Sequence, residues 1–462
     1  MTDRPFAGAA SRTAFRFCFV YFGLYIVTTQ MLPGMLPIPG VSLPELNKAP
    51  LVSGVFLFIA KYVLRLPEVP VHQTGSGDTL FDWVQAFSLL LIATVTTLVW
   101  TLLASRTASD AKLNTWFRFF IRWAVATTML TYGFAKVIPL QMPTIALSRL
   151  VQPFGDFSPM AVLWSSIGAA PGYEIFVGCA EVVAGVLLFL PRTTLFGSLV
   201  ALMCAIGVFA LNMTYDVPVK LFSFHLILLS LLLLAPNLRR LFEFFIAHRT
   251  VAAAAEPPIG QSMRVQRHWV IGQLVFGVYL LLVHGYGSIK SWNTRGGGAP
   301  QSPLFGIWAV DESIVNGDVR PPLLTDPTRW RHVIFQRPTS TMLQMMNDQF
   351  TQATVKIDTV AHTIAVVTPK PPTPTSISRL SYSAADGVSS LGASNPLLRR
   401  ATLDTVPKLS ILHYTRPTPT QLVLDGTLYG DRVHLTLRLR PVALFVQKSR
   451  GFNWIQEYPV NR

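Results

Sequence analysis

Through the first 290 positions the chain runs in long apolar stretches separated by short polar breaks; beyond them apolar residues tend to recur at every second position. A helix needs about 20 apolar residues to cross the hydrocarbon of a bilayer. Seven stretches approach that length, within a few residues at each end: 14–33, 80–104, 118–139, 173–191, 194–213, 218–236 and 269–289. The first begins at Ala14, includes Arg16 and is followed by no small-residue cleavage site. It therefore predicts a retained helix, with MLPGMLPIPG as a Pro/Gly turn leaving the bilayer. LVSGVFLFIAKYVLR, residues 51–65, is shorter and carries Lys61 near one end, which predicts an interfacial or re-entrant helix.

The change of period predicts a change of domain. SIKSWNTRGGGAP marks a Gly-rich linker, placed at 290–300, and residues 301–462 read as an all-β domain. TIAVV (363–367) and LSILHY (409–414) are strands, and QLVLDGTLYGDRVHLTLRLR (421–440) is a strand, a turn at YGDR and a second strand. In LFGIWAV, Gly306 and Trp308 stand in the Gly-x-Trp arrangement that opens a lipocalin barrel, where the Trp closes one end. The tripeptide alone leaves a lipocalin-like barrel and another small sandwich or barrel both open.

Composition agrees with a membrane protein. Of 462 residues 51% are hydrophobic and 13% charged, and the mean hydropathy is +0.43; soluble domains carry about a quarter charged residues. The net charge of +15 comes from basic residues that punctuate apolar segments rather than forming runs, which suits topology signals and argues against a nucleic-acid partner. Arg4, Arg12 and Arg16, then Arg106, Lys112, Arg118 and Arg122, then Arg239, Arg240, Arg249, Arg264 and Arg267 share one side if seven helices are counted. That predicts a cytoplasmic N-terminus and a C-terminal domain outside, in the periplasm of a bacterial inner membrane. Loop 34–79, with Lys48, Lys61 and Arg65, blurs this signal without reversing it. Cys18, Cys179 and Cys204 all lie in apolar segments without paired spacing, so neither a disulfide framework nor a metal site is expected.

A family resemblance lies in the central helices. FRFFIRWAVATTMLTYGFAKVIPLQ carries Tyr-Gly-x-x-Lys, the next helix has a Glu followed by LLFLPRTT, and Asn-x-x-x-Asp-x-Pro-x-Lys leads into the last. Together these resemble the DoxX-like family of four-helix membrane proteins over residues 118–236. QTGSGDTLFDW (73–83) and the terminal GFNWIQEYPVNR look like segments of longer members with an extracytoplasmic β domain. The expected organisation is an N-terminal transmembrane region (1–117), the DoxX-like bundle (118–236), a cytoplasmic connection with the last span (237–289), the linker and the β domain. The resemblance implies membrane redox work, to which members have been linked, including a subunit resembling that of thiosulfate:quinone oxidoreductase; fold analogy alone assigns no reaction.

The candidate chemistry sits toward one membrane face. Glu174, Gly178, Glu181 and Gly185 fall on one helical side, and Glu181 lies about 10 Å deeper than Glu174. An isolated carboxylate there is costly, so Glu181 calls for a partner, and Lys136 and His225 lie at compatible depth. With Asp216 and Lys220 at the rim these five residues are expected to line one polar site; Tyr132, Glu174 and His284 are secondary candidates. His225 and His284 have no spacing that supports a haem or metal. Two functions follow: a redox-associated subunit receiving a quinone at the polar site, or a non-catalytic anchor whose β domain docks a periplasmic protein or lipid.

Overall fold

The computed structural model describes residues 9–41, 43–71, 75–104, 110–252, 262–368, 408–451, 453–454 and 456. Arg4, Arg106, Gln73 and Thr74 of QTGSGDTLFDW, and residues 452, 455 and 457–462 of the terminal GFNWIQEYPVNR lie outside the described residues. Two compact units emerge: residues 1–141 with 172–292, and residues 142–171 with 293–462.

The first unit is helical. Its long elements are α1 (Ala9–Thr28), α4 (Leu80–Leu103), α5 (Ala111–Val137), α8 (Pro171–Phe189), α9 (Thr194–Thr214), α10 (Lys220–Leu234) and α12 (Met263–Thr294). Shorter ones are α2 (Met31–Met35), α3 (Pro50–Tyr62) and α11 (Leu238–Phe245). The expected span 14–33 is broken: α1 stops at Thr28, and Pro33 lies in the separate short helix α2. The expected linker at 290–300 is also displaced, because α12 continues to Thr294 and only then reaches the glycines.

Among the described residues, five helical segments are long and apolar enough to cross a membrane: Leu80–Leu103, Pro171–Phe189, Pro191–Thr214, Lys220–Phe245 and Met263–Thr294. Helices α1 and α5 are equally long but carry buried cations. Arg16 and Arg122 are both buried and paired. Arg16 is sealed inside by Asp110 at 3.1 Å and lies over Trp100, while Arg122 donates to Gln273 at 2.6 Å and Thr194 at 3.2 Å. Buried arginines satisfied in this way need not reach water.

Side-chain pairs set the relative directions of α1, α4, α5 and α12. Phe19, midway along α1, meets Trp100 near the end of α4, whereas Gln85, near the start of α4, donates to Thr28 at the end of α1. Phe15 meets Phe117 of α5, and Tyr132 of α5 reaches Gln30 just past α1, so α1 and α5 run together. Trp269 in α12 meets Trp116, and Gly285 lies against Phe134, so α12 also parallels α5.

The second unit is built on a closed barrel. Its strands are β1 (Gly306–Val315), β2 (Asp318–Val319), β3 (Trp330–Arg337), β4 (Ser340–Met345), β5 (Phe350–Asp358), β6 (Thr363–Thr368), β7 (Lys408–Thr418), β8 (Gln421–Leu428) and β9 (Asp431–Arg440). Successive strands pair antiparallel, and β1 pairs with β3 on one side and β9 on the other, with Trp308 opposite both Val333 and Leu439. Eight strands thus close the barrel, while β2 pairs only with the end of β1. This is the up-and-down connectivity that removes sheet edges. Alternate residues such as Trp308, Phe335, Leu343, Val355, Leu422 and Leu437 fill the interior.

β1 and β3 break the two-residue alternation because both of their faces are covered. Ile307 and Ile334 point outward and pack with Leu147 of α6 (Leu147–Val151). The Leu147 amide donates to Gln336 at 3.1 Å, and Gln344 donates to the Val151 carbonyl at 3.2 Å. Residues 142–171, which the sequence offers as one connection inside the four-helix segment, therefore fold with the barrel; they also hold α7 (Pro159–Ala169). Arg337 pins the glycine-rich segment by donating to the carbonyls of Arg295 at 2.7 Å and Gly296 at 2.8 Å.

Candidate functional site

Small residues bring α5 and α8 together. A Cβ at Gly178 would stand 2.6 Å from the Val137 nitrogen and 2.7 Å from the Lys136 Cβ, and one at Gly133 would stand 2.9 Å from the Val182 nitrogen. Such an approach is open only to glycine, and in an apolar bundle it supplies close backbone packing. It also sets Lys136 beside Glu181. The ammonium donates to both carboxylate oxygens, at 2.7 and 2.6 Å, with Lys136 5% and Glu181 2% exposed. Two charges desolvated this far hold each other in place; removing either would leave the other buried and uncompensated. Tyr132, one turn before Lys136, lies under the ammonium at 5.7 Å from its ring centroid and donates to Gln30 at 3.3 Å. Glu174 is buried in the first turn of α8.

His225 goes elsewhere. Its Nε2 is 2.8 Å from the Tyr21 hydroxyl, its Nδ1 is 2.7 Å from the Leu221 carbonyl, and its ring stacks on Tyr25 with centroids 3.8 Å apart. Both ring nitrogens are thus engaged by α1 and α10. The expectation that His225 might partner Glu181 does not hold, because an aromatic cage from α1 reaches the imidazole first. Tyr21 and Tyr25 were not singled out from sequence; their only signal was a polar hydroxyl recurring in an apolar run.

Asp216 and Lys220 form the hairpin rim. Lys220 donates to Asp216 at 2.8 Å, and the Asp216 side chain is largely exposed at a positive φ. Asp78 completes this rim: its carboxylate accepts from the amides of Lys220 at 2.8 Å and Leu221 at 2.9 Å, capping α10, and lies 3.8 Å from the Lys220 ammonium. A carboxylate at a helix N-terminus satisfies orphan amides and the helix dipole together. The neighbouring Thr79 and Asp82 make a capping box that starts α4. GSGDT in the 73–83 segment is therefore a double helix-start device.

The five residues make three sets of direct contacts: Lys136 with Glu181, His225 with Tyr21 and Tyr25, and Lys220 with Asp216 and Asp78. His284 lies on α12, where its Nε2 is buried with no hydrogen-bond partner among the described residues. Among the described residues no group of three or more His, Cys, Asp or Glu side chains could hold a metal.

Part of the chain has a relative. Over 149 residues, 30% of this chain and 86% of the other, it is 26% identical to the uncharacterized protein YwoB of Bacillus subtilis (strain 168). No family model and no solved structure matches the chain.

Proposed function

We propose that the chain is an accessory, quinone-linked subunit of a redox system in the bacterial inner membrane. All seven long helices cross the bilayer in this reading, α5, α8, α9 and α10 form a DoxX-like bundle, and the barrel stands on the periplasmic face. The relative directions of α1, α4, α5 and α12 and the basic residues at 239, 240, 264 and 267 support that placement.

The observation that carries the function is the Lys136–Glu181 pair, closed off from solvent within apolar helices. Reduction of a quinone to a quinol takes two electrons and two protons. The electrons would come from a partner redox protein. The protons must reach an apolar site through groups able to hold them there, and buried ionisable residues inside membrane helices serve such relays. Glu181 would hold the proton, Lys136 would balance its charge, and Tyr132 would position the ammonium. The test is purification of the full chain in mild detergent with mass spectrometry of bound small molecules and co-purifying proteins. Quinone together with a redox partner, with turnover lost in Glu181→Gln while the protein stays folded, is expected; turnover unchanged in that variant would refute the assignment.

A second reading is favoured by the filled interior of the barrel, which leaves its outer surface as what it can offer. In that reading the chain is a non-catalytic membrane anchor whose barrel docks a periplasmic protein or lipid. A single co-purifying partner without quinone would select it.

A further inference from the structure

Helix α11 carries an apolar face that its own chain leaves exposed. At about 100° per residue, Leu238, Leu241, Phe242 and Phe245 fall on one side of the helix, and Arg239, Arg240 and Glu243 on the other. None of its residues is buried, and Leu238, Phe242 and Phe245 are 52, 59 and 59% exposed. A helix this short is marginal in water by itself, so its stability comes from what its apolar face meets.

Its position says what that is. Tyr132 near the end of α5 meets Phe222 at the start of α10, with ring centroids 6.0 Å apart, so α10 runs against α5. The end of α10, and α11 after it, therefore lie where α5 and α12 begin. The 15 residues of α10 cover about 22 Å at ~1.5 Å per residue, short of the ~30 Å hydrocarbon core of a bilayer. Counted from the polar rim at Asp216 and Lys220, the opposite boundary is reached only with the turn Ala235–Asn237 and the first residues of α11. The apolar face of α11 thus stands at the depth where acyl chains meet headgroups.

The charge at this end is basic. The Arg239 side chain is 84% exposed and donates to Glu243 at 2.8 Å, and Arg240 donates to Asn237 at 2.9 Å and to the Ala252 carbonyl. The Arg249 amide donates to the Glu243 carbonyl at 2.8 Å, which folds exposed Arg249 back onto the helix. Lys112 at the start of α5, with Arg264 and Arg267 at the start of α12, extends the set. Among the described residues the acidic side chains at this end of the helical unit are Asp110 and Glu243, and arginines already hold both. A short helix with one apolar side and one basic side, at this depth, matches the surface of an anionic bilayer.

We propose that α11 lies in the plane of the membrane surface and binds anionic phospholipid. Leu238, Leu241, Phe242 and Phe245 enter the acyl chains, and Arg239, Arg240 and Arg249 hold headgroup phosphates. The inference does not depend on the redox reading, because α11 lies toward the opposite end of α5 from the Lys136–Glu181 pair.

The full chain, purified in mild detergent and mixed with equal amounts of phosphatidylglycerol and phosphatidylcholine, tests it by native mass spectrometry. The wild type is expected to retain phosphatidylglycerol at least about tenfold over phosphatidylcholine, Arg239→Gln/Arg249→Gln to reduce that preference at least about fivefold, and Arg239→Lys/Arg249→Lys to keep it. Since no residue of α11 is buried, the melting temperature should stay in place in both variants. Insertion is read in vesicles of the same two lipids. With Cys18, Cys179 and Cys204 replaced by Ala, a fluorophore at Phe245→Cys should be quenched by an acyl-chain nitroxide at least about threefold more than one at Glu243→Cys. No preference between the lipids, the same preference in the wild type and the Gln variant, or equal quenching at the two positions would each overturn the proposal. An acidic soluble protein retained in place of lipid, and lost with the same Gln variant, would overturn it too and assign the face to a protein.

Discussion

The ammonium of Lys136 lies 2.7 and 2.6 Å from the two carboxylate oxygens of Glu181, across a helix crossing at which Gly178 leaves no room for a Cβ. Removing one charge leaves the other buried, so Glu181→Met or Lys136→Met alone should cost about 3–5 kcal/mol. The double variant Lys136→Met/Glu181→Met should recover much of that loss. Thermal unfolding in one detergent, run as a double-mutant cycle, measures both; additive losses would contradict a coupled pair.

Tyr21 is the partner of His225 across α1 and α10. Tyr21→Phe keeps the ring but strands a buried imidazole nitrogen, for an expected loss of about 1–3 kcal/mol. Phe17→Leu, one turn away on α1 and stacked on Tyr21, should leave the imidazole signals of His225 in place. NMR of labelled histidine in the full chain would separate the two variants.

Trp308 is 1% exposed; its N–H donates to the Leu304 carbonyl at 2.9 Å, and the Arg416 guanidinium lies 5.6 Å from its ring centroid. Trp308→Ala should destabilise the barrel by about 3–5 kcal/mol. Amide exchange should rise across β1, β3 and β9 while α5 and α8 stay protected; unchanged exchange in β3 would contradict this packing.

His332 links barrel stability to pH. Burial holds it below the ordinary 6.5, with Arg331 and Arg440 acting the same way, and the hydrogen bond to Gln344 and the nearby Asp348 opposing. A histidine depressed in the fold binds protons more readily once unfolded, so its stabilising contribution is present above pH 6.5 and is lost as pH falls through the folded value. Gln344 also holds the Val151 carbonyl. Protection of the Leu147–Val151 amides, corrected for intrinsic exchange, should therefore drop between pH 7 and 5, and His332→Gln should flatten that dependence.

Sidedness is checked at Val360, 89% exposed in the turn between β5 and β6. With Cys18, Cys179 and Cys204 replaced by Ala, Val360→Cys should react with an impermeant maleimide in cells whose outer membrane is permeabilised. Labelling only after lysis would place the barrel on the cytoplasmic side.

What sequence alone determined is whatever one element decides for itself. The long apolar runs of α4, α8, α9, α10 and α12 declare helices of membrane length, because 20 apolar residues have few other uses. The alternation in 421–440 declares β8, β9 and the turn between them, since period two sorts side chains onto two faces. The Gly178 and Glu181 spacing likewise puts a close-packing surface and a carboxylate on one side of α8. β3 was harder to read because the helix from 142–171 covers its outer face, which replaces alternation with a nearly continuous buried run. Closure of the barrel depends on β1 meeting β9, more than 100 residues apart, and no local pattern carries that pairing. The same holds for the polar groups. Depth along a helix could be counted from sequence, but rotation about each axis and the choice of direct partner could not. Only packing of α1 against α10 took His225 into a tyrosine cage, left Lys136 to Glu181, and brought Asp78 from a distant loop to cap the helix that Lys220 begins.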